Sequence, residues 1–110
     1  MEPVTEYRRR IQEIFHRIER AFENIDPDLV ECENSMGALT LTFADQSRCI
    51  LSAQPSVSQL WLAVASQGTA YHFNFLEDSQ AWMDDKGRSI ELIQFLENHV
   101  KEVAHVAIKI

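Results

Sequence analysis

Six carboxylates crowd into residues 19 to 33, namely Glu19, Glu23, Asp26, Asp28, Glu31 and Glu33, against the single base Arg20. On a helix, Glu19 and Glu23 are i,i+4 neighbours along one edge, and Asp26 follows three residues on, close to the same edge. Asp28, Glu31 and Glu33 would extend the row onto the next element. Like charges repel at these spacings, and acids near a helix C-terminus oppose its partial negative charge. Clustered carboxylate oxygens suit hard, oxygen-preferring cations, iron among them. No imidazole or thiolate cluster joins them, so the chemistry expected is weak binding at several points. Acidic runs also serve simply as solvated faces, and spacing alone leaves both readings open.

Trp61 is the second informative residue. It alternates out of phase with Leu60, Leu62 and Val64. If those three face a core, Trp61 lies on an open sheet face beside Gln59 and near His72, where a large aromatic is a natural anchor for another protein. A second acidic group, Glu77, Asp78, Asp84 and Asp85, flanks Trp82 and reads as turn chemistry. His16, His72, His99 and His105 are scattered, His16 alone falling near Glu19. There is no H-E-x-x-H, no G-x-S-x-G and no phosphate-binding glycine loop. No residue is assigned to catalysis. Cys32 and Cys49 lack C-x-x-C spacing and read as small core thiols in a reducing compartment.

The elements that must position these groups follow from periodicity. Val4, Tyr7, Ile11, Ile14, Phe15, Ile18, Phe22 and Ile25 form one helical stripe, with Pro3 in the first turn and a stop near Asp26, just before Pro27. Next, Val30 and Cys32 alternate with Glu31 and Glu33 up to a turn at Asn34-Ser35-Met36-Gly37. Leu39, Leu41 and Phe43 then alternate with Thr40 and Thr42. Further strands are expected over Arg48 to Leu51, Gln59 to Ala65, Tyr71 to Phe75, and around Trp82. Ser89 suits the N-cap of a second helix carrying Ile90, Ile93, Leu96, Val100 and Val103, and Val106, Ile108 and Ile110 suggest a last short strand. The pattern is α+β, a two-layer α/β sandwich: an antiparallel sheet of about six strands with the N- and C-terminal helices on one face.

At 110 residues and 45% hydrophobic, the chain can bury one modest core, so a single domain over 1–110 is expected. Its net charge of −7 repels phosphate backbones and anionic lipids, which argues against nucleic acid and membrane as partners. No apolar run has bilayer-spanning length. The first residues lack the basic start and apolar stretch of a signal peptide, and they carry acids that a mitochondrial presequence avoids. A prokaryotic cytoplasm is expected.

Glu31-Cys32-Glu33 followed by Gly37-Ala38-Leu39-Thr40-Leu41-Thr42-Phe43 resembles the first hairpin of the bacterial frataxins, the CyaY-like family. Gln59-Leu60-Trp61-Leu62-Ala63 resembles that family's most recognisable stretch, followed by Gly68, Tyr71-His72-Phe73, Trp82, Gly87 and a leucine-rich helix. The resemblance runs over nearly the whole chain. It implies a frataxin-like fold and a role in iron–sulfur cluster assembly, as iron donor, chaperone or regulator. Iron, ferrous or ferric, would be weakly bound, with no organic cofactor. The implied partners are a cysteine desulfurase and the iron–sulfur scaffold protein. The resemblance further implies a monomer that forms oligomers with iron, and a weak ferroxidase activity is ascribed to the family. Carried over residue by residue, the metal ridge is Glu19, Glu23, Asp26, Asp28, Glu31 and Glu33, and the partner surface is Trp61 and Gln59 with Gln54, Thr40 and Thr42. Several positions depart from the family pattern: Arg20 and Asn24 stand where acids are frequent, Arg8-Arg9-Arg10 opens the helix, and Ser52-Ala53 precedes Gln54. The alternative from another class is a metal-independent interaction module, such as a small acidic secretion chaperone, which would be dimeric.

Overall fold

The computed structural model describes residues 4–110. Pro3 and the side chain of Val4, both expected in the first helix, lie outside the described residues. Helix α1 (Val4–Phe22) is followed by strands β1 (Val30–Ser35), β2 (Ala38–Phe43), β3 (Arg48–Gln54), β4 (Gln59–Val64), β5 (Thr69–Leu76) and β6 (Ala81–Asp84), and then by helix α2 (Leu92–Ala104). The strands form one antiparallel sheet in the order β1-β2-β3-β4-β5-β6. Period-two alternation splits the sheet into an apolar face and a polar one. Leu39, Leu41, Cys49, Leu51, Leu60, Leu62, Tyr71 and Phe73 are buried on the apolar side. They share one cluster with Ile11, Ile14, Phe15 and Ile18 of α1 and with Leu92, Leu96 and Val100 of α2. Both helices therefore cover one face and leave the other to solvent, as the sequence pattern implies.

The β1–β2 hairpin has the shortest connection. Met36 and Gly37 both adopt positive φ, 53° and 81°, between the paired residues Ser35 and Ala38. Two left-handed residues match the twist of the flanking strands, and this fixes which residues of β1 face outward. At the same end of the strands, the Tyr7 hydroxyl ties α1 to the β3–β4 connection. It donates to the Gln59 carbonyl at 2.6 Å and accepts from the Gln54 amide at 3.0 Å.

Five elements differ from the sequence expectation. Helix α1 ends at Phe22 and not near Asp26, the chain tightening through bonds from Glu23 N to Arg20 O and from Ile25 N to Phe22 O. Pro27 bars helix from Asp26 onward, and ahead of it the chain tightens to three-residue bonds, which ends the α-helix sooner than the proline alone requires. Strands β3 and β5 run longer than expected, because register with their neighbours extends pairing to Gln54 and Thr69. Helix α2 is capped by Glu91 and not by Ser89. The Glu91 carboxylate accepts from Ile93 N at 2.8 Å and Gln94 N at 3.0 Å, whereas Ser89 sits at φ 57° in the preceding turn. Finally, Val106, Ile108 and Ile110 form no strand. Their alternation instead serves an extended tail, in which Ile110 N donates to Glu97 and the Ile110 oxygen accepts from Arg17.

The turn after β6 is held by Asp84, whose side chain is fully buried. Its carboxylate accepts from the Lys86 and Arg88 amides and from Arg88 Nε at 3.0 Å and Nη2 at 2.6 Å. These bonds, the Arg88 guanidinium first, hold the carboxyl down to about 2. A carboxyl depressed in the folded state adds stability above its unfolded value near 3.8 and loses it as pH falls toward 2. Urea midpoints of the unaltered protein should therefore fall more steeply between pH 4 and pH 2 than those of Asp84→Asn. Parallel pH profiles would show that this pair contributes nothing to acid stability.

Candidate functional site

The end of α1, the turn after it and the edge strand β1 carry the six ridge carboxylates. Glu19 lies in the last turn of α1 and Glu23 just beyond it. Asp26 and Asp28 occupy the turn, where Asp26 Oδ1 accepts from the Asp28 amide at 2.9 Å. Glu19 accepts from Asn34 Nδ2 at 3.1 Å, which links the helix to β1. Glu19, Glu23 and Glu31 border one open groove together with Phe22, Ile25, Pro27, Val30 and Cys32. Among the described residues, no ion pair joins any of the six acids to a base. Arginine pairing instead occurs elsewhere: Arg9 with Glu6 and Glu13, Arg10 with Glu6 and Glu77, Arg88 with Asp84.

The row bends at β1. Cys32 and Val30 point to the helix layer, so Glu31 and Glu33 stand on the open face, directly across from Thr42 and Thr40. The expected ridge and the expected partner surface therefore meet along the β1–β2 pair. Cys32 is half-buried, and its thiol is pushed up to about 11, by burial first and then by the Glu19 charge. Burial alone pushes Cys49 up to about 12. Both thiols stay protonated at neutral pH and present no thiolate to the groove. Among the described residues, no group of three or more His, Cys, Asp or Glu side chains is arranged to hold a metal ion. The carboxylates offer oxygen donors singly or in loose pairs, an arrangement for a largely hydrated hard cation.

The open face centres on Trp61. Its ring stacks on His72, with centroids 4.2 Å apart and planes 14° from parallel, and its Nε1 donates to Gln59 Oε1 at 2.9 Å. Gln59 Nε2 donates in turn to Asn74 Oδ1 and to Asp85 Oδ2, each at 3.1 Å. Trp61 is half-buried, its indole held between its stacking partner His72 and its hydrogen-bond partner Gln59. Gln54 lies beyond Ser52 toward the edge of this face, its Nε2 donating weakly to Ser52 Oγ at 3.4 Å. Thr40 pairs with Ile50, Thr42 with Arg48, and Ile50 with Ala63, so a shallow, partly apolar strip joins the ridge side to Trp61.

Two members of this network escape a sequence reading. Asn74 carries no signal beyond its alternation with Phe73 and Phe75. Asp85 reads as one of four acids around Trp82, and the structure separates that group: Asp84 goes to Arg88, Glu77 to Arg10, and Asp85 to Gln59.

An antiparallel six-stranded meander under two helices, with an unpaired acidic border and a polar, tryptophan-bearing sheet face, defines a frataxin-type domain. Residues 2–106 match the frataxin-like domain, and the chain belongs to that family. It is 38% identical over 94 residues to the iron–sulfur cluster assembly protein CyaY of Pseudomonas fluorescens, covering 86% of this chain and 82% of that one. To CyaY of Tolumonas auensis it is 34% identical over 92 residues, covering 84% and 83%. Among solved structures, frataxin from Psychromonas ingrahamii superimposes with a TM-score of 0.86 at 20% identity, over 98% of this chain and 97% of the other. Trimeric frataxin from Saccharomyces cerevisiae, complexed with ferrous iron, matches with a TM-score of 0.63 at 21% identity, over 96% and 88%. At such identities the two structures speak for the fold alone. The family match decides against the secretion-chaperone alternative.

Proposed function

We propose that this chain serves iron–sulfur cluster assembly in a bacterial cytoplasm as a non-enzymatic iron-binding donor or regulator. In this reading Glu19, Glu23, Asp26, Asp28, Glu31 and Glu33 hold ferrous or ferric iron weakly. Trp61, Gln59, Gln54, Thr40 and Thr42 form the surface that docks on the cysteine desulfurase and its scaffold protein. The observation that carries it is the acidic border itself, six carboxylates with no ion pair among the described residues, next to a sheet face organised around a stacked indole. Unpaired like charges in a row cost some stability, and a cation offsets that cost. The reading assigns no catalytic residue, because iron oxidation calls for a centre with fixed ligands and open positions.

The test uses purified components. Immobilised protein should capture a cysteine desulfurase with its scaffold at moderate ionic strength and lose it as salt is raised, since long-range charge attraction is screened. No capture at low salt, with or without iron, would end the docking half of this reading.

A further inference from the structure

The outer side of α1 carries the opposite charge to the ridge. Glu13, His16, Arg17 and Arg20 occupy helical steps of three and four, which places them along one stripe. They line an open groove of about 440 Å³ together with Ala21 and Lys109. Lys109 comes from the far end of the sequence, and its place is fixed on both sides of Ile110. The Ile110 amide donates to Glu97 at 2.8 Å, and its oxygen accepts from Arg17 Nη2 at 3.1 Å and Nε at 3.3 Å. The one acid in the groove, Glu13, is already paired with Arg9 Nη1 at 2.5 Å. His16, Arg20 and Lys109 have no hydrogen bond or ion pair among the described residues, and Arg17 keeps Nη1 unused. Four basic side chains thus converge on a concave surface of a chain whose net charge is −7.

We propose that this groove is a binding site for a small polyvalent anion bearing two or more phosphate or carboxylate groups. Guanidinium forks match both groups in geometry, and an anion with more than one charged group can engage Arg17, Arg20, His16 and Lys109 around the groove together. The overall negative field of the protein repels anions at long range, so a monovalent ion gains too little at short range to stay. The site lies outside the acidic ridge and needs no metal, so it stands or falls separately from the function proposed above.

The experiment is an amide NMR titration of the metal-free protein with pyrophosphate and, separately, with citrate, at ionic strength held constant with sodium chloride. Saturating shifts at His16, Arg17, Arg20 and Lys109 are expected with at least one probe, and the tighter probe names the preferred anionic group. The double substitution Arg20→Glu with Lys109→Glu, both exposed positions, should weaken that binding by at least about tenfold while preserving the dispersed spectrum of a folded chain. Should the double variant fold poorly, Arg20→Gln and Lys109→Gln made singly should each weaken binding. Shifts no larger than those from sodium chloride alone, or folded variants that bind as the unaltered protein does, would overturn the proposal.

Discussion

Trp61→Ala should weaken capture of the proposed desulfurase complex by about thirtyfold, the effect of losing a central aromatic anchor worth roughly 2 kcal/mol. The indole is suited to that role because its position is set before any partner arrives. His72 on the neighbouring strand stacks against it at 4.2 Å, and Gln59 holds its N–H. An aromatic already fixed in place loses little entropy on docking, and its neighbours Ile50 and Ala63 add exposed apolar area. The folded state should hold, since Trp61 lies on the solvent side of β4 and its cross-strand partners Ser52 and His72 remain. A change in melting temperature within about 5 °C is expected. Binding isotherms and thermal melts of the same sample separate the two effects. Undiminished capture by a folded variant would move the docking surface away from this face.

Reversing two ridge charges, Glu19→Lys with Glu23→Lys, should weaken ferrous iron binding by at least about tenfold and slow association with the desulfurase, the latter most at low salt. Glu19 and Glu23 border the groove shared with Glu31, so their reversal places two cations where hydrated iron would sit. The neutral pair Glu19→Gln with Glu23→Gln separates charge from shape. It should lose iron binding yet unfold at an equal or higher temperature than the unaltered protein in metal-free buffer, because it removes like-charge repulsion and breaks no ion pair. A destabilised neutral variant would mean the acids serve folding, and full iron affinity in the reversed one would place the iron elsewhere.

Much of this arrangement is legible in the sequence because two periods dominate it. The three- and four-residue spacing from Tyr7 to Phe22 gives α1 its buried face. Alternation at Leu39, Leu41 and Phe43 and at Leu60, Leu62 and Val64 gives the inner sheet face and, by exclusion, the outward position of Trp61. What stays hidden depends on contacts distant in sequence. Nothing local to Val106, Ile108 and Ile110 distinguishes a strand from an extended tail, since the difference lies in Glu97 and Arg17. Glu91 displaces Ser89 as the cap because Ser89 is bent into a left-handed turn beside the Asp84–Arg88 pair. The ridge is legible as composition but not as shape. The helix tightens and ends ahead of Pro27, which leaves Asp26 in a turn, and the pleat carries Glu31 and Glu33 onto the open face beside Thr42 and Thr40.

That bend gives the central claim its sharpest test, an anaerobic titration of the isotope-labelled protein with ferrous iron followed by backbone NMR. Paramagnetic broadening should appear first at Glu19, Glu23, Asp26, Asp28, Glu31 and Glu33 and spread across the strand pair to Thr40 and Thr42. The Trp61 indole, His72 and Asn74 should stay sharp. Uniform broadening, or a response confined to the Trp61 network, would contradict the assignment of iron to this border.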